Sequence, residues 1–253
     1  MPSPAPIQAI AIRGIPEIRA GDSIAKAILT AIGKMRLRFT VGDILVVKHK
    51  IISKAEGRVV ALSTVTPSRR ARSWAEKWKR DPRVIELALQ NARRVIKMKN
   101  GVLITETPHG FVCANSGVDL SNVDGGHSAV LLPLDPDASA RRMMLELRRA
   151  LKLRIPVIIA DTFGRPWREG LTEAAIGIAG LKPLRDFRGQ RDSHGYRMHA
   201  TAEAVADELA SLAGLACGKL ERVPACIIRG FHYDASRGSS RDLLRDASRD
   251  LFR

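Results

Sequence analysis

Three short apolar runs set the frame for this 253-residue chain: ILVV at 44–47, PVIIA within IPVIIADTFGRPW (155–167), and ACIIR within VPACIIRG (223–230). Each is shorter than an ordinary helix and rich in branched residues, which suits a buried strand bounded by turns. Between them the apolar spacing becomes helical. ASARRMMLELRRALKL (138–153) and TAEAVADELASLAGLAC (201–217) each carry one apolar stripe, and VIELALQNARRVIKM (84–98) does so after an Asp-Pro start. GVLITETPHGFVCAN (101–115) predicts two strands joined by a turn at Pro108 to Gly110, and the polar stretch IISKAEG breaks off the first buried run at Gly57. IPVIIADTFGRPW is expected to pass from buried strand straight into a polar turn. Strands and helices mix without a regular βαβ repeat, so the expected class is α+β, neither a P-loop nor a Rossmann fold. No internal repeat or low-complexity linker appears, and the chain is read as a single domain over 1–253.

Hydrophobic residues make up 45% of the chain, enough for a globular core. The N-terminus lacks a basic flank followed by a long apolar run, and nowhere do eighteen apolar residues occur together. Neither a signal peptide nor a membrane span is expected, and the cytoplasm is the default location. Cys113, Cys217 and Cys226 are odd in number and lack CxxC spacing, so they are read as reduced packing residues. A formal charge of +16 predicts anionic partners but does not separate nucleic acid from nucleotides or phosphorylated metabolites. The densest basic run, SRRARSWAEKWKRDPR (68–83), places Trp74 and Trp78 one helical turn apart. A nucleic-acid patch is one reading; the preferred one is an amphipathic helix that buries both Trp and leaves its cations in water. The tail RDLLRDASRDLFR repeats Arg-Asp every four residues, which predicts an ion-paired C-terminal helix within 236–253.

In so basic a chain, residues 115–126 stand apart: NSGVDLSNVDGG holds two aspartates and no lysine or arginine. Neither a P-loop nor a dinucleotide motif occurs, and the GxSxG and HExxH templates are also missing. What remains are Asp119 in that loop and Asp161 in IIADTFGRPW, each expected where the chain turns beside a buried strand. Hard divalent cations such as Mg²⁺ or Mn²⁺ take carboxylate oxygens, often with a hydroxyl and substrate phosphates, and Asp161 with Thr162 offers such a pair. Turn aspartates, however, are common for structural reasons, which is the more frequent case. Lys54 could hold a phosphate as a point charge or simply be solvated. Local residues leave both alternatives open.

The segments GIPEI, IISKAEG, ETPHGFVCANSGVDLSNV and ADTFGRPWREGLTEAAIGIAGL, in this order and at these separations, resemble the coenzyme F420-0:L-glutamate ligase family, also called CofE. The resemblance runs from about Ile10 to Gly230. It implies a two-lobed α+β fold and an intertwined homodimer. It also implies a ligase that uses GTP to join L-glutamate to the lactyl carboxylate of coenzyme F420-0, with further γ-linked glutamates in many members. By the same resemblance the γ-phosphoryl group passes to the carboxylate, and the acyl phosphate is attacked by the amine of glutamate. Positions matching the family's metal site are Asp119, Asp161 and Thr162, for Mg²⁺ or Mn²⁺; K⁺ is a family expectation without residues. GTP-binding positions match Ile15, Pro16, Glu17, Ile18, His49, Lys50, Lys54 and Asn122. The stretch Leu215 to Arg222, with Gly218 and Lys219, matches a glycine-containing nucleotide loop.

Two departures bear on detail. Where the family pattern has a glutamine beside that glycine, this chain has Lys219, which while protonated cannot ligate a metal and would instead meet phosphate. Gly195, Tyr196, Arg197 and Met198 stand where the family has Gly-Arg-Glu-Leu, which bears on the acceptor. His194 and His199 are read as surface or structural residues. His109 is either functional or packed on Phe111. Two rivals remain: a related GTP-dependent carboxylate-amine ligase serving another metabolite, and a nucleic-acid-binding protein using the 68–99 region.

Overall fold

The computed structural model describes residues 6–250. Its helices are α1 (Ile24–Lys34), α2 (His49–Ala55), α3 (Arg69–Trp78), α4 (Pro82–Gln90), α5 (Pro136–Leu151) and α6 (Val205–Cys217). The strands are β1 (Gln8–Ala11), β2 (Ile44–Lys48), β3 (Val59–Ala61), β4 (Arg94–Lys99), β5 (Val102–Glu106), β6 (Val112–Ala114), β7 (Ser128–Val130), β8 (Val157–Arg165), β9 (Arg168–Ala179), β10 (Arg185–Asp186), β11 (Ala202–Glu203) and β12 (Ala225–Arg229). The three apolar runs of the sequence become neighbours in one five-stranded sheet of order β1-β12-β2-β8-β9. Only β2 and β8 pair in parallel there, and the other pairs are antiparallel, which gives a mixed α+β architecture.

Strand alternation divides the core between the two faces of this sheet. Leu45, Val47, Val157 and Ile159 pack with residues of α1 and α5, among them Ile28, Ile32, Met143 and Leu147. Ile44, Val46, Ile158 and Ala160 pack with Val205, Leu209 and Ala213 of α6. Helix α5 lies close enough to β9 that a Cβ on Gly177 would come within 2.5 Å of Pro136 O. A third apolar cluster joins α3, α4 and β5 through Ala71, Ala75, Ile85, Ala88 and Leu103. Within it Trp74 is half-buried, and Trp78 is half-buried too, so the tryptophans of α3 are less covered than expected while its arginines stay exposed.

Three sequence expectations change. The helix predicted over 84–98 ends at Gln90, and 94–99 form β4 paired with β5. A bulge between Val95 and Lys97 turns Val95 and Met98 toward the same cluster, and this three-residue spacing imitates a helix. The chain does not turn after Ala160: β8 continues through Asp161 to Arg165, held by β9 opposite it. The predicted C-terminal helix is replaced, within the described residues, by two 3₁₀ turns at Ser240–Leu243 and Ala247–Arg249. Buried Asp137 accepts hydrogen bonds from Ser239 Oγ (2.7 Å) and the Ser240 amide (3.0 Å), and Asp246 caps Ser248 (2.8 Å). Such short polar side chains compete with helical hydrogen bonding and favour turns.

Candidate active site

The parallel pair sets the site. At the carboxyl end of β2 the chain enters α2, and three successive residues there meet three carboxylates from different parts of the chain. Lys48 pairs with Glu173 of β9, His49 with Asp161 of β8, and Lys50 with Asp119 of the acidic loop. Lys48 and Ala160 are register partners, so the chain delivers Asp161 and Thr162 immediately beyond them. Residues outside the carboxyl ends of neighbouring parallel strands are a recurrent place for ligand sites.

On the α1/α5 side of the sheet, Lys50 Nζ lies 2.7 Å from Asp119 Oδ2 and donates to Ser121 O at 3.1 Å. The Ser121 amide donates to Asp119 Oδ1 at 2.7 Å. Burial alone would push the Asp119 carboxyl up, but the hydrogen bonds from Lys50 and Ser121 outweigh it and hold the group below its ordinary value. Lys54, one turn further along α2, pairs with Glu17 and donates to Asn122 O at 2.9 Å. The GIPEI segment and the acidic loop are thereby tied to the same helix. Of the GIPEI positions, Ile18 is buried, Ile15 half-buried, and Pro16 and Glu17 exposed. The acid-rich loop has no lysine or arginine of its own, and Lys50 and Lys54 of α2 bring cations to it. Its Ser116 is structural, donating to Ala88 O at 2.7 Å, and Asp124 accepts from the Ser128 amide at 2.6 Å.

His49 is 2% exposed; its Nε2 lies 3.2 Å from Asp161 Oδ1 yet is not aligned for a hydrogen bond, so this buried nitrogen has no formed partner. Asp161 also reaches Cys113, whose thiol is pushed up to about 12 by burial and, secondarily, by the Asp161 carboxylate. That places Cys113 as an inert neighbour. All three cysteines are buried and free.

Thr162 follows Asp161 on a strand, so its side chain points to the other face, toward α6. There Thr162 Oγ1 donates to Glu173 Oε1 (3.1 Å), its direct cross-strand partner, and accepts from Lys219 Nζ (2.6 Å). Lys219 Nζ also lies 3.1 Å from Glu173 Oε1. Burial would raise the Glu173 carboxyl, but Lys48 and then Lys219 pull it below its ordinary value. Its Oε2 is buried without a partner. Gly214 of α6 admits this carboxylate, since a Cβ there would sit 2.5 Å from Glu173 Cγ. Leu215 to Cys217 form the last turn of α6, and Gly218, at φ +67°, turns the chain so that Lys219 can reach back.

The expected residues thus fall into two groups separated by β8: Glu17, Lys50, Lys54, Asp119, Asn122, His49 and Asp161 on one side, Thr162 and Lys219 on the other. The sequence reading overlooked Lys48 and Glu173, although a charged residue ending ILVVK and one inside the apolar alternation of TEAAIGIA were visible signals. His109 stacks on Phe111 at 5.5 Å, and its Nε2 donates to Pro133 O and Leu134 O, which makes it a structural residue. His194 and His199 are exposed. Asp119 and Asp161 carry the carboxylate oxygens that suit a hard divalent ion; in this structure Asp119 Oδ2 is met by Lys50 Nζ at 2.7 Å and Asp161 Oδ1 lies 3.2 Å from His49 Nε2. Among the described residues no group of three His, Cys, Asp or Glu side chains forms a ready cage. No helix among them is long and apolar enough to cross a membrane.

Residues 13–230 match the family model for F420-0:gamma-glutamyl ligase. The chain is 43% identical over 250 residues to the coenzyme F420:L-glutamate ligase of Methanothermobacter thermautotrophicus, covering 98% of this chain and 99% of that protein. It is 42% identical to the protein of that name from Methanocaldococcus jannaschii, over 84% of this chain and 85% of the relative. For the Archaeoglobus fulgidus protein of the same name the identity is 36%, over 98% and 96%. With Lys48, His49, Lys50, Asp119, Asp161 and Glu173 all inside the matched span, the chain belongs to the F420-0:gamma-glutamyl ligase family and is a ligase.

Proposed function

We propose that the protein joins L-glutamate to the lactyl carboxylate of coenzyme F420-0 at the expense of GTP, acting as a homodimer of two-lobed subunits. The observation that carries this reading is the 48–50 strip, where three consecutive residues of β2 and α2 meet carboxylates from three separate segments. The γ-phosphoryl bond to the β-phosphate oxygen breaks as a bond to a carboxylate oxygen forms, leaving GDP and an acyl phosphate. The glutamate amine then attacks the acyl carbon, loses a proton to water, and expels phosphate. Every reactant is anionic, so the chemistry calls for positioned cations rather than a nucleophilic side chain.

In this reading Lys50 and Lys54 hold nucleotide phosphate beside the GIPEI segment and Asn122. Asp119 and Asp161 would hold Mg²⁺ or Mn²⁺, which when bound would neutralise phosphate charge. Thr162 is the remaining candidate ligand, and its hydroxyl at present serves Lys219. Gly218 and Lys219 approach phosphate from the α6 side. The test is to incubate purified protein with coenzyme F420-0, L-glutamate, GTP, Mn²⁺ and K⁺, and to follow the acceptor by mass spectrometry. Products heavier by one or more glutamyl units, dependent on GTP and metal, are expected. GTP binding without product would move the reading to another carboxylate acceptor, and absence of both would overturn it.

A further inference from the structure

The face of β8 turned toward α6 holds a cluster that a metal-centred account leaves unused. Thr162 Oγ1 and Glu173 Oε1 are 3.1 Å apart, and Lys219 Nζ is 2.6 Å from the first and 3.1 Å from the second. Two oxygens that converge in this way make a cation position, and the side chain of Lys219 already fills it. Glu173 beneath is 95% covered, and Lys48 pairs with the same oxygen. A divalent ion brought to Thr162 would therefore face two ammonium groups while sharing one carboxylate. Repulsion at such distances in a partly buried site is severe.

We infer that Lys219 is a built-in cation of the site, moored to Thr162 and Glu173, so that divalent metal is confined to the Asp119–Asp161 face and Thr162 is not a metal ligand. Glu173 is the positioning residue here. The Lys219 side chain is 61% exposed, so the ammonium presents a fixed positive charge to solvent and to any anionic group arriving beside Asp161. Glu173 acts through it, as the buried counter-charge that aims the ammonium. The inference rests on the reading of Asp119 and Asp161 as the metal face.

Mn²⁺ titrated calorimetrically into the nucleotide-free full-length protein tests this without using activity. Wild type is expected to bind one Mn²⁺ per chain, and Thr162→Val to bind it with affinity unchanged within about twofold. Asp161→Asn should weaken it by about tenfold or more. Lys219→Gln, which replaces the ammonium with an amide oxygen, should admit a second ion and raise the ratio to two, a gain that Lys219→Gln/Thr162→Val loses. If Thr162→Val weakens wild-type binding as Asp161→Asn does, or if Lys219→Gln leaves the ratio at one, Lys219 is not the built-in cation. If Asp161→Asn changes nothing, the metal face itself is misassigned, and absence of Mn²⁺ binding in every protein overturns both.

Discussion

Helices α2 and α3 are both basic, and they use their charge in opposite ways. On α2, Lys50 and Lys54 are mostly covered, at 19% and 12% exposure, and each meets a carboxylate from a distant segment. On α3, Arg69, Arg70, Arg72 and Lys77 are exposed; Arg72 donates to the nearby Pro67 O, and Lys77 lies 5.6 Å from the ring of its neighbour Trp78. Local density of lysine and arginine is higher on α3, yet convergence of charges from remote segments occurs on α2. A solvated cation contributes little beyond long-range steering, whereas a covered one fixes geometry and its loss leaves a counter-charge stranded.

The comparison is broken most severely through Asp161. Asp161→Asn is expected to lower kcat by about 100-fold or more with an unchanged circular dichroism spectrum, because on the proposed reading it removes a charged metal-binding oxygen beside His49. Near-normal turnover would show that the strip is structural. Lys50→Ala should come next, with KM for GTP raised about tenfold and kcat less affected. An unchanged KM would take Lys50 out of the nucleotide site.

Stability sharpens the contrast on the α6 side. Gly214→Ala forces a methyl against Glu173 and should cost about 1–3 kcal/mol in urea unfolding, as overpacking does. Glu173 predicts a pH signature as well. Its folded carboxyl titrates below the ordinary value of about 4.3, so its pairing adds stability that is complete above that value and is lost as pH falls through the folded pKa. Unfolding free energies measured from about pH 6 down to pH 3 should therefore fall less steeply in Glu173→Gln than in wild type. A parallel decline in the two proteins would refute this pairing. The smallest effect belongs to α3: Arg69→Gln/Lys77→Gln should shift stability by no more than about 0.5 kcal/mol and leave turnover unchanged. Loss of turnover in that variant would erase the distinction between the helices.

The buried strands, the helices α5 and α6, the hairpin of β5 and β6, and the family itself were legible in the chain, because local apolar spacing and ordered motifs carry them. The C-terminal 3₁₀ turns were not, since Asp137, more than a hundred residues earlier, holds Ser239 and Ser240. Neither was the path through Asp161, where polar residues that resemble a turn are kept extended by cross-strand hydrogen bonds to β9.

By itself, the sequence determined which residue types were available: carboxylates at 119 and 161, lysines at 50, 54 and 219, and the strand runs that would bury beside them. Only the tertiary structure decided that Asp161 and Thr162 act on opposite faces of one strand, that Lys219 rather than open space lies at the Thr162 hydroxyl, and that Glu173 joins Lys48 to Lys219. Local spacing encodes which face a side chain takes once a strand exists, but the partner waiting on that face is set by strand order and by a helix returning from some forty residues away.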